Sequence, residues 1–309
     1  MFVAGRDYAV GLALCAIGIG VLDLAEAQTV ENADIFVAAS ELADEVELIR
    51  ETMGRPYDES PRLPVSGITE LELYFQSRTL LIKSNRLANE LVGTAIESLP
   101  EPPDRDVVPA DTLELVSRAL ADIRRVRTEL GIREEIQRMD RDMPISATGV
   151  FSVILDANRQ LNLLLKDTVS AEDVYLRLST AVQYAAGLVA AHGGDDTLPT
   201  LRFETGRRPA HVYQRLLECI DILADIGAKS GVEIMSLSTR RNVPDDIAPG
   251  HVIDLVQFIV ADLMLIARRQ GVEPAGLDLG PFPKHVFPSN SYQRAGVLKI
   301  ELERLAAAL

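Results

Sequence analysis

The sequence predicts an all-α fold, a helical-repeat bundle of about eight helices, on three observations. A short pattern recurs seven times along the chain, and each copy has the composition of a helix start. Apolar residues follow each start at spacings of three and four, which is the period of a helix with one buried face. No segment alternates polar and apolar residues over a convincing length, so we expect essentially no β-sheet.

The first 27 residues have the layout of a secretory signal peptide. An apolar run from Tyr8 to Leu22 is shorter than the ~20 residues that a membrane-spanning helix needs, and Ala25 and Ala27 supply small residues before Gln28. This pattern predicts cleavage after Ala27 and a periplasmic or secreted protein with no integral membrane span after cleavage. An uncleaved segment that anchors the protein to the membrane is the alternative.

Each copy of the recurring pattern places Pro or a small polar residue at a helix start, just before a large apolar residue. The large residues are Tyr74, Leu113, Phe151, Tyr175, Tyr213, Ile253 and Tyr292. The glycines that follow at a nearly constant distance favour helix ends; they are Gly93, Gly131, Gly194, Gly231 and Gly271. An eighth helix, from about Ala33 to Thr52, precedes the first copy.

The intervals between these large residues predict an internal duplication. Three pairs of copies lie 101, 100 and 102 residues apart, which indicates tandem duplication of a three-helix unit with one helix added. We therefore expect one domain over 28–309, with halves of about 31–167 and 168–309. The short link between the helices that start near 147 and 171 predicts an antiparallel hairpin, whereas the other links are long enough to allow parallel neighbours.

Composition and cysteine usage exclude several classes of function. The net charge of −15 and the pI near 4.8 make nucleic acid an unexpected partner, because surfaces that bind phosphate are usually basic. After cleavage Cys219 stands alone, and its apolar helical surroundings predict a buried, unreactive thiol. The four histidines lack metal-ligand spacing, so we expect no metal and no cofactor.

Two predicted helices share the motif Asn-Arg-x-x-Asn. Its residues are Asn85, Arg86 and Asn89 in one helix and Asn158, Arg159 and Asn162 in the other. Asn disfavours helix interiors, and residues four apart lie on one helical face. If that face is buried, its amides need a partner. Hydrogen bonds to a neighbouring helix are the first interpretation, a ligand contact is the second and exposure to solvent is the third.

No catalytic motif is recognisable, which predicts that the protein is not an enzyme. The leading hypothesis is an exported, non-catalytic protein-interaction or scaffold module with a protein partner in the cell envelope. Its candidate partner contacts are the loop residues Arg207, Arg208, Arg240 and Arg241. The alternative is a small-molecule binding or sensory bundle in which the Asn-Arg-x-x-Asn residues line a pocket between helices. An enzyme assembled only by folding is the third hypothesis.

Overall fold

A computed structural model describes residues 29–57, 65–136, 144–165, 169–195, 197–237 and 247–309. These residues form eight helices, and so the predicted all-α fold with about eight helices is confirmed. The helices are α1 (Asn32–Thr52), α2 (Glu70–Val92), α3 (Pro109–Glu129), α4 (Ala147–Leu164), α5 (Ala171–Ala191), α6 (Pro209–Ser230), α7 (Pro249–Gln270) and α8 (Pro288–Ala308). Two short strands, β1 (Val65–Ser66) and β2 (Ser236–Leu237), pair antiparallel. The predicted signal peptide, Arg240 and Arg241 lie outside the described residues.

The predicted glycine helix stops are correct with one exception. Gly93, Gly231 and Gly271 follow α2, α6 and α7 directly, with left-handed backbone angles. At the end of α5 the left-handed residue is Gly193 rather than the predicted Gly194. A side chain on Gly194 would meet Val189, since its Cβ would lie 2.4 Å from the Val189 Cγ1.

The helices form two four-helix bundles with the same pattern of neighbours. In the first bundle α1 and α2 each pack against α3 and α4, and in the second α5 and α6 each pack against α7 and α8. The contacts therefore repeat after four helices, and duplication of a three-helix unit is not confirmed. Each of the three intervals near 100 residues contains two regular spacings of 38 to 40 residues and the short one from Phe151 to Tyr175, so they agree without a duplicated three-helix unit.

Within each bundle the helices run parallel. The first residues of α5, α6, α7 and α8 surround one small hollow, so all four helices start at the same end. In the first bundle Glu41 and Glu45 of α1 bind Arg124 and Arg127 of α3 in the same order along the chain. The two bundles are antiparallel to each other, because Asn162 near the end of α4 contacts Gly250 at the start of α7.

Parallel neighbours require each long connection to return along a helix. The connection after α7 does so along α5: the Ala275 N–H donates to the Gln183 carbonyl at 2.9 Å, and Phe282 then packs on Tyr175. The connection after α2 returns along α2 itself, where the Arg78 Nε donates to the Pro100 carbonyl at 3.2 Å. These contacts resolve the orientation that connection length left open.

The predicted hairpin of α4 and α5 is not formed. Within the described residues α5 packs against α7 and α8, while α4 packs mainly against α1 and α2. The short link between α4 and α5 reverses the chain direction, but it joins one bundle to the other. The change of bundle thus falls at the boundary of the two predicted halves.

The most apolar helix, α7, lies at the interface of the bundles. It packs against α5, α6 and α2, and Phe258 on α7 contacts Phe151 on α4. By length and composition α7 could cross a membrane, but 89% of its most apolar window is buried inside the protein. Its hydrophobicity is accounted for by the protein core.

Candidate functional site

The seam between the bundles, where α2 crosses α7, contains a buried ion pair. The Lys83 Nζ lies 3.2 Å from the Asp254 Oδ1 and donates to the Asn158 carbonyl, also at 3.2 Å. Lys83 has no exposed surface, and this burial lowers the pKa of its ammonium group, an effect that Asp254 opposes. The ion pair therefore connects α2 and α4 of the first bundle with α7 of the second.

The second Asn-Arg-x-x-Asn motif lies at this seam. The Asn158 amide donates to the backbone and side-chain oxygens of Gln76, at 3.2 and 3.0 Å. Asn162 is buried against the start of α7, and neither its amide oxygen nor its amide nitrogen has a hydrogen-bond partner. Gly250 makes this approach possible, because a Cβ at that position would lie 2.5 Å from the Asn162 oxygen. Arg159 is buried as well.

The first motif fastens the end of α2 to its surroundings. The Asn85 oxygen accepts the Glu97 N–H at 3.0 Å, and Asn89 donates to the Thr94 carbonyl at 2.5 Å. These two bonds hold the connection that leaves α2. The Arg86 guanidinium lies 3.0 Å from Asp173 at the start of α5 and so joins the two bundles.

Asn158, which bonds to Gln76 on α2, fits the first interpretation, hydrogen bonds to a neighbouring helix, whereas the amide of Asn162 makes no such bond. None of the six motif residues lines the large cleft described below, although Asn85 borders a small hollow of about 50 Å³. Their role in ligand binding stays a prediction.

Two of the four candidate partner-binding arginines are described. Arg207 pairs with Glu204, and its guanidinium lies 4.4 Å from the centre of the Tyr292 ring. Arg208 precedes α6, is exposed and donates its backbone N–H to the His211 Nδ1 at 2.9 Å. Arg240 and Arg241 lie outside the described residues, so the structure places only Arg207 and Arg208.

A second pair of buried ionisable groups joins α2 to α7. Glu72 and Asp262 are each 1% exposed, and their carboxyl groups lie near each other, while neither Asp262 oxygen has a hydrogen-bond partner among the described residues. Glu72 also accepts the backbone N–H groups of Thr69 and Met235, the latter at 2.9 Å. Burial, and then the neighbouring Glu72, raise the pKa of Asp262 well above its usual range.

A cleft of about 580 Å³ opens beside this carboxyl pair, where α2 begins and where α6 and α7 end. Its lining residues come from both bundles and are Thr69, Glu70, Leu71, Asp106, Val107, Ser230, Gly231, Val232, Glu233, Leu265, Arg268 and Arg269. Leu71 precedes Glu72 in the chain, and Leu265 lies about one turn after Asp262. The carboxyl pair thus lies behind the wall of the cleft.

Charged side chains of both signs line the cleft. Arg268 donates to two carbonyl oxygens of the connection after α2, those of Pro103 at 2.7 Å and Arg105 at 3.2 Å. Glu70 is half-buried, and this burial raises the pKa of its carboxyl group, an effect that a hydrogen bond from Asn32 opposes. Among the described residues, no group of three His, Cys, Asp or Glu side chains is placed to hold a metal ion.

Sequence reasoning missed the cleft and the two buried pairs. Asp254 and Asp262 did carry a signal, since each is a carboxylate in an otherwise apolar helix. Their partners, Lys83 and Glu72, lie more than 150 residues away, and nothing in the local sequence marks them.

Comparison of the chain with known protein families, curated proteins and solved structures finds no match.

Proposed function

We propose that this protein is a non-catalytic binding protein that takes a small polar ligand in the cleft between its two bundles. The observation that carries the proposal is the cleft itself, of about 580 Å³ and lined by both bundles. Ligand sites are typically about 300–1,000 Å³ and occur preferentially where domains meet. The ligand site of the proposal is thus the cleft, and the Asn-Arg-x-x-Asn faces have a structural role.

The position of the carboxyl groups supports binding without catalysis. Glu72 and Asp262 resemble an acid and base pair in composition, but each is only 1% exposed. A general acid or base must reach the substrate within hydrogen-bond distance or through one water molecule. A ligand in the cleft would meet Leu71 and Leu265 before it reached them.

The test is a thermal-shift screen with small carboxylates, amines, amino acids, short peptides and sugars on purified protein. Each compound that raises the melting temperature is measured again on Val232→Phe and Leu265→Phe, which place a larger ring in the cleft. Leu176→Phe, at a half-exposed position on α5, is the matched control. We expect both cleft variants to lose the shift and the control to keep it.

Two results would contradict the binding proposal. One is a screen in which no compound changes the melting temperature of the unmodified protein. The other is a shift that survives unchanged in both cleft variants, because the ligand would then bind elsewhere.

A specific surface favours protein binding as the second candidate function. Four large apolar side chains are exposed near the end where the second bundle begins: Leu176, Phe203, Phe282 and Phe287. Arg207 and Arg208 lie at the same end, at the start of α6. Aromatic residues and Arg are enriched in protein interfaces, so this end is the place where a partner in the envelope would bind.

The scaffold hypothesis predicts loss of a defined partner on altering this end. Partners cross-linked to the protein in its own cells are identified by mass spectrometry for the unmodified chain, Phe287→Ser and Arg208→Glu. Lys229→Glu, an exposed position in the last turn of α6 at the opposite end of the second bundle, is the control. A partner that both variants retain would contradict binding at this surface.

We also propose that the protein acts in the periplasm or outside the cell, on the evidence of the signal-like residues 1–27. The intact mass of protein recovered from its own cells distinguishes a chain that begins at Gln28 from one that retains the membrane anchor. A full-length mass in a soluble fraction would contradict both forms of the proposal.

A further inference from the structure

We propose that the ligand of the cleft is a short peptide of two or three residues with a free amino end, a free carboxyl end and aliphatic side chains. This inference rests on the proposed binding function and specifies its ligand. It is carried by the charges of both signs that line the cleft without pairing.

The cleft contains three carboxylates and two guanidinium groups that do not pair with each other. The carboxylates are Glu70 at the start of α2, Asp106 before α3 and Glu233 after α6, and Arg268 and Arg269 come from the last turn of α7. Among the described residues, none of these five side chains forms an ion pair within 4.0 Å. Elsewhere on the same surface opposite charges do pair, as in Arg105 with Asp111 at 2.7 Å.

The two inner charges are the most informative. Arg268 is half-buried, and its hydrogen-bond partners among the described residues are two neutral carbonyl oxygens, which leave its positive charge uncompensated. Glu70 is half-buried too, and an amide is its hydrogen-bond partner. Partly buried charges are stabilised when a partner of opposite sign replaces the lost water. A ligand with an ammonium group and a carboxylate would supply both partners.

The rest of the lining and the size of the cleft further limit the class of ligand that would fit. Leu71, Val107, Val232 and Leu265 provide apolar surface between the charged groups. A volume of about 580 Å³ is in the range that accommodates a drug-sized ligand, which is larger than one amino acid. A short peptide with free termini and aliphatic side chains combines opposite charges at its two ends with an apolar middle.

The experiment compares four probes by isothermal titration calorimetry on the purified protein. They are the tripeptide alanyl-leucyl-alanine, its N-acetylated form, its C-terminal amide, and free leucine. We expect the free tripeptide to bind, and we expect each terminal cap to weaken binding at least tenfold because it removes one charge. Free leucine should bind more weakly than the tripeptide because it leaves apolar surface uncovered.

Charge-neutral variants assign each end of the peptide to a side of the cleft. Glu70→Gln should weaken binding of the free tripeptide but not binding of the N-acetylated form. Arg269→Gln should weaken binding of the free tripeptide but not binding of the amide. Arg269 is chosen because Arg268 also holds the connection after α2. Glu129→Gln and Arg133→Gln, both exposed and remote from the cleft, are the matched controls and should leave affinity unchanged.

The outcomes separate this inference from the binding proposal. Capped peptides that bind as tightly as the free tripeptide would overturn the assignment of a doubly charged ligand. Binding of a dicarboxylate or a diamine, sensitive to Val232→Phe, with no binding of the tripeptide would overturn the inference and leave the cleft as a ligand site. If no probe binds, and no compound in the thermal-shift screen gives a shift that Val232→Phe removes, the inference and the proposed function both fail.

Discussion

Lys83 and Asp254 form an ion pair that is almost completely removed from water. The side chain of Lys83 is 0% exposed and that of Asp254 is 4% exposed. Desolvation of two charges costs several kcal/mol per ion, so such a pair contributes little net stability over a well-packed apolar pair of similar volume. Removing one partner is different, because the other charge stays buried without compensation.

We therefore predict that Lys83→Met lowers the free energy of unfolding by about 3–5 kcal/mol. The double variant Lys83→Met with Asp254→Leu should lose less than this single variant, since it leaves no buried charge. Urea denaturation followed by helical circular dichroism measures both. Lys299→Met, which breaks the partly exposed pair with Glu218, should cost ~1 kcal/mol or less. A double variant less stable than Lys83→Met would contradict the argument.

Single residues in this chain differ in how far the sequence reveals them. Asn158 was recognisable because a buried helical Asn needs a partner, and it binds Gln76. Lys83 was not recognisable, because its helix surroundings resemble an ordinary amphipathic surface. The ion pair exists only through the packing of α2 on α7, which a local pattern does not encode.

At the scale of elements, the helix starts share one device. In seven of the eight described helices, the side chain at the third helical position accepts the N–H of the residue before the helix. That side chain is Asp34, Glu72, Asp111, Asp173, His211, His251 or Asn290. The helix starts could be predicted from the sequence because capping depends on a few neighbouring residues.

The imidazole of His211 gives a direct test of this device. Its Nδ1 accepts the Arg208 N–H at 2.9 Å, so His211→Ala should cost about 1 kcal/mol, the usual cost of losing a capping bond. His211→Asn should retain most of the stability, because Asn290 performs the same role in α8 at 2.9 Å. Thermal unfolding of both variants is compared with that of the exposed control His285→Ala. Equal losses for the Ala and Asn variants would show that the bond is not responsible.

The errors at element scale arise where tertiary contacts decide. The α4 and α5 helices were expected to pack as a hairpin because their link is short. That link instead crosses between bundles, and the long links make parallel neighbours by returning along helices. Link length limits which helices can be adjacent, but the buried faces determine which of them are.

For the whole molecule, the spacing of the helix starts marks the boundary between the bundles, but it does not show which helices pack together. The large residues at helix starts recur after 38 to 40 residues, except for the 24 residues from Phe151 to Tyr175. This short interval is the crossing from the first bundle to the second. The matching intervals near 100 residues suggested three-helix units, yet any regular series of helices gives such intervals. The cleft depends on both bundles and was therefore not predictable from either half.

The stability of the packing between the bundles should depend on pH through Asp262. The folded-state pKa of Asp262 is raised above the unfolded value of ~3.9, so the folded form retains a proton that the unfolded form releases. Its contribution to stability is therefore complete below about pH 4 and decreases as pH rises toward the folded pKa, by up to ~1.4 kcal/mol per pH unit. The groups that face it are Glu72 on α2 and the Met235 N–H before β2.

Asp262→Asn should remove this dependence, because an amide donates to Glu72 without holding a titratable proton. We expect the variant to be more stable than the unmodified protein at pH 7 and nearly equal to it at pH 4, in urea denaturation measured across that range. Asp221→Asn, on the exposed side of α6, controls for the general loss of negative charge. If the curves of the variant and the unmodified protein stay parallel from pH 4 to pH 8, Asp262 does not bind the proton assigned to it.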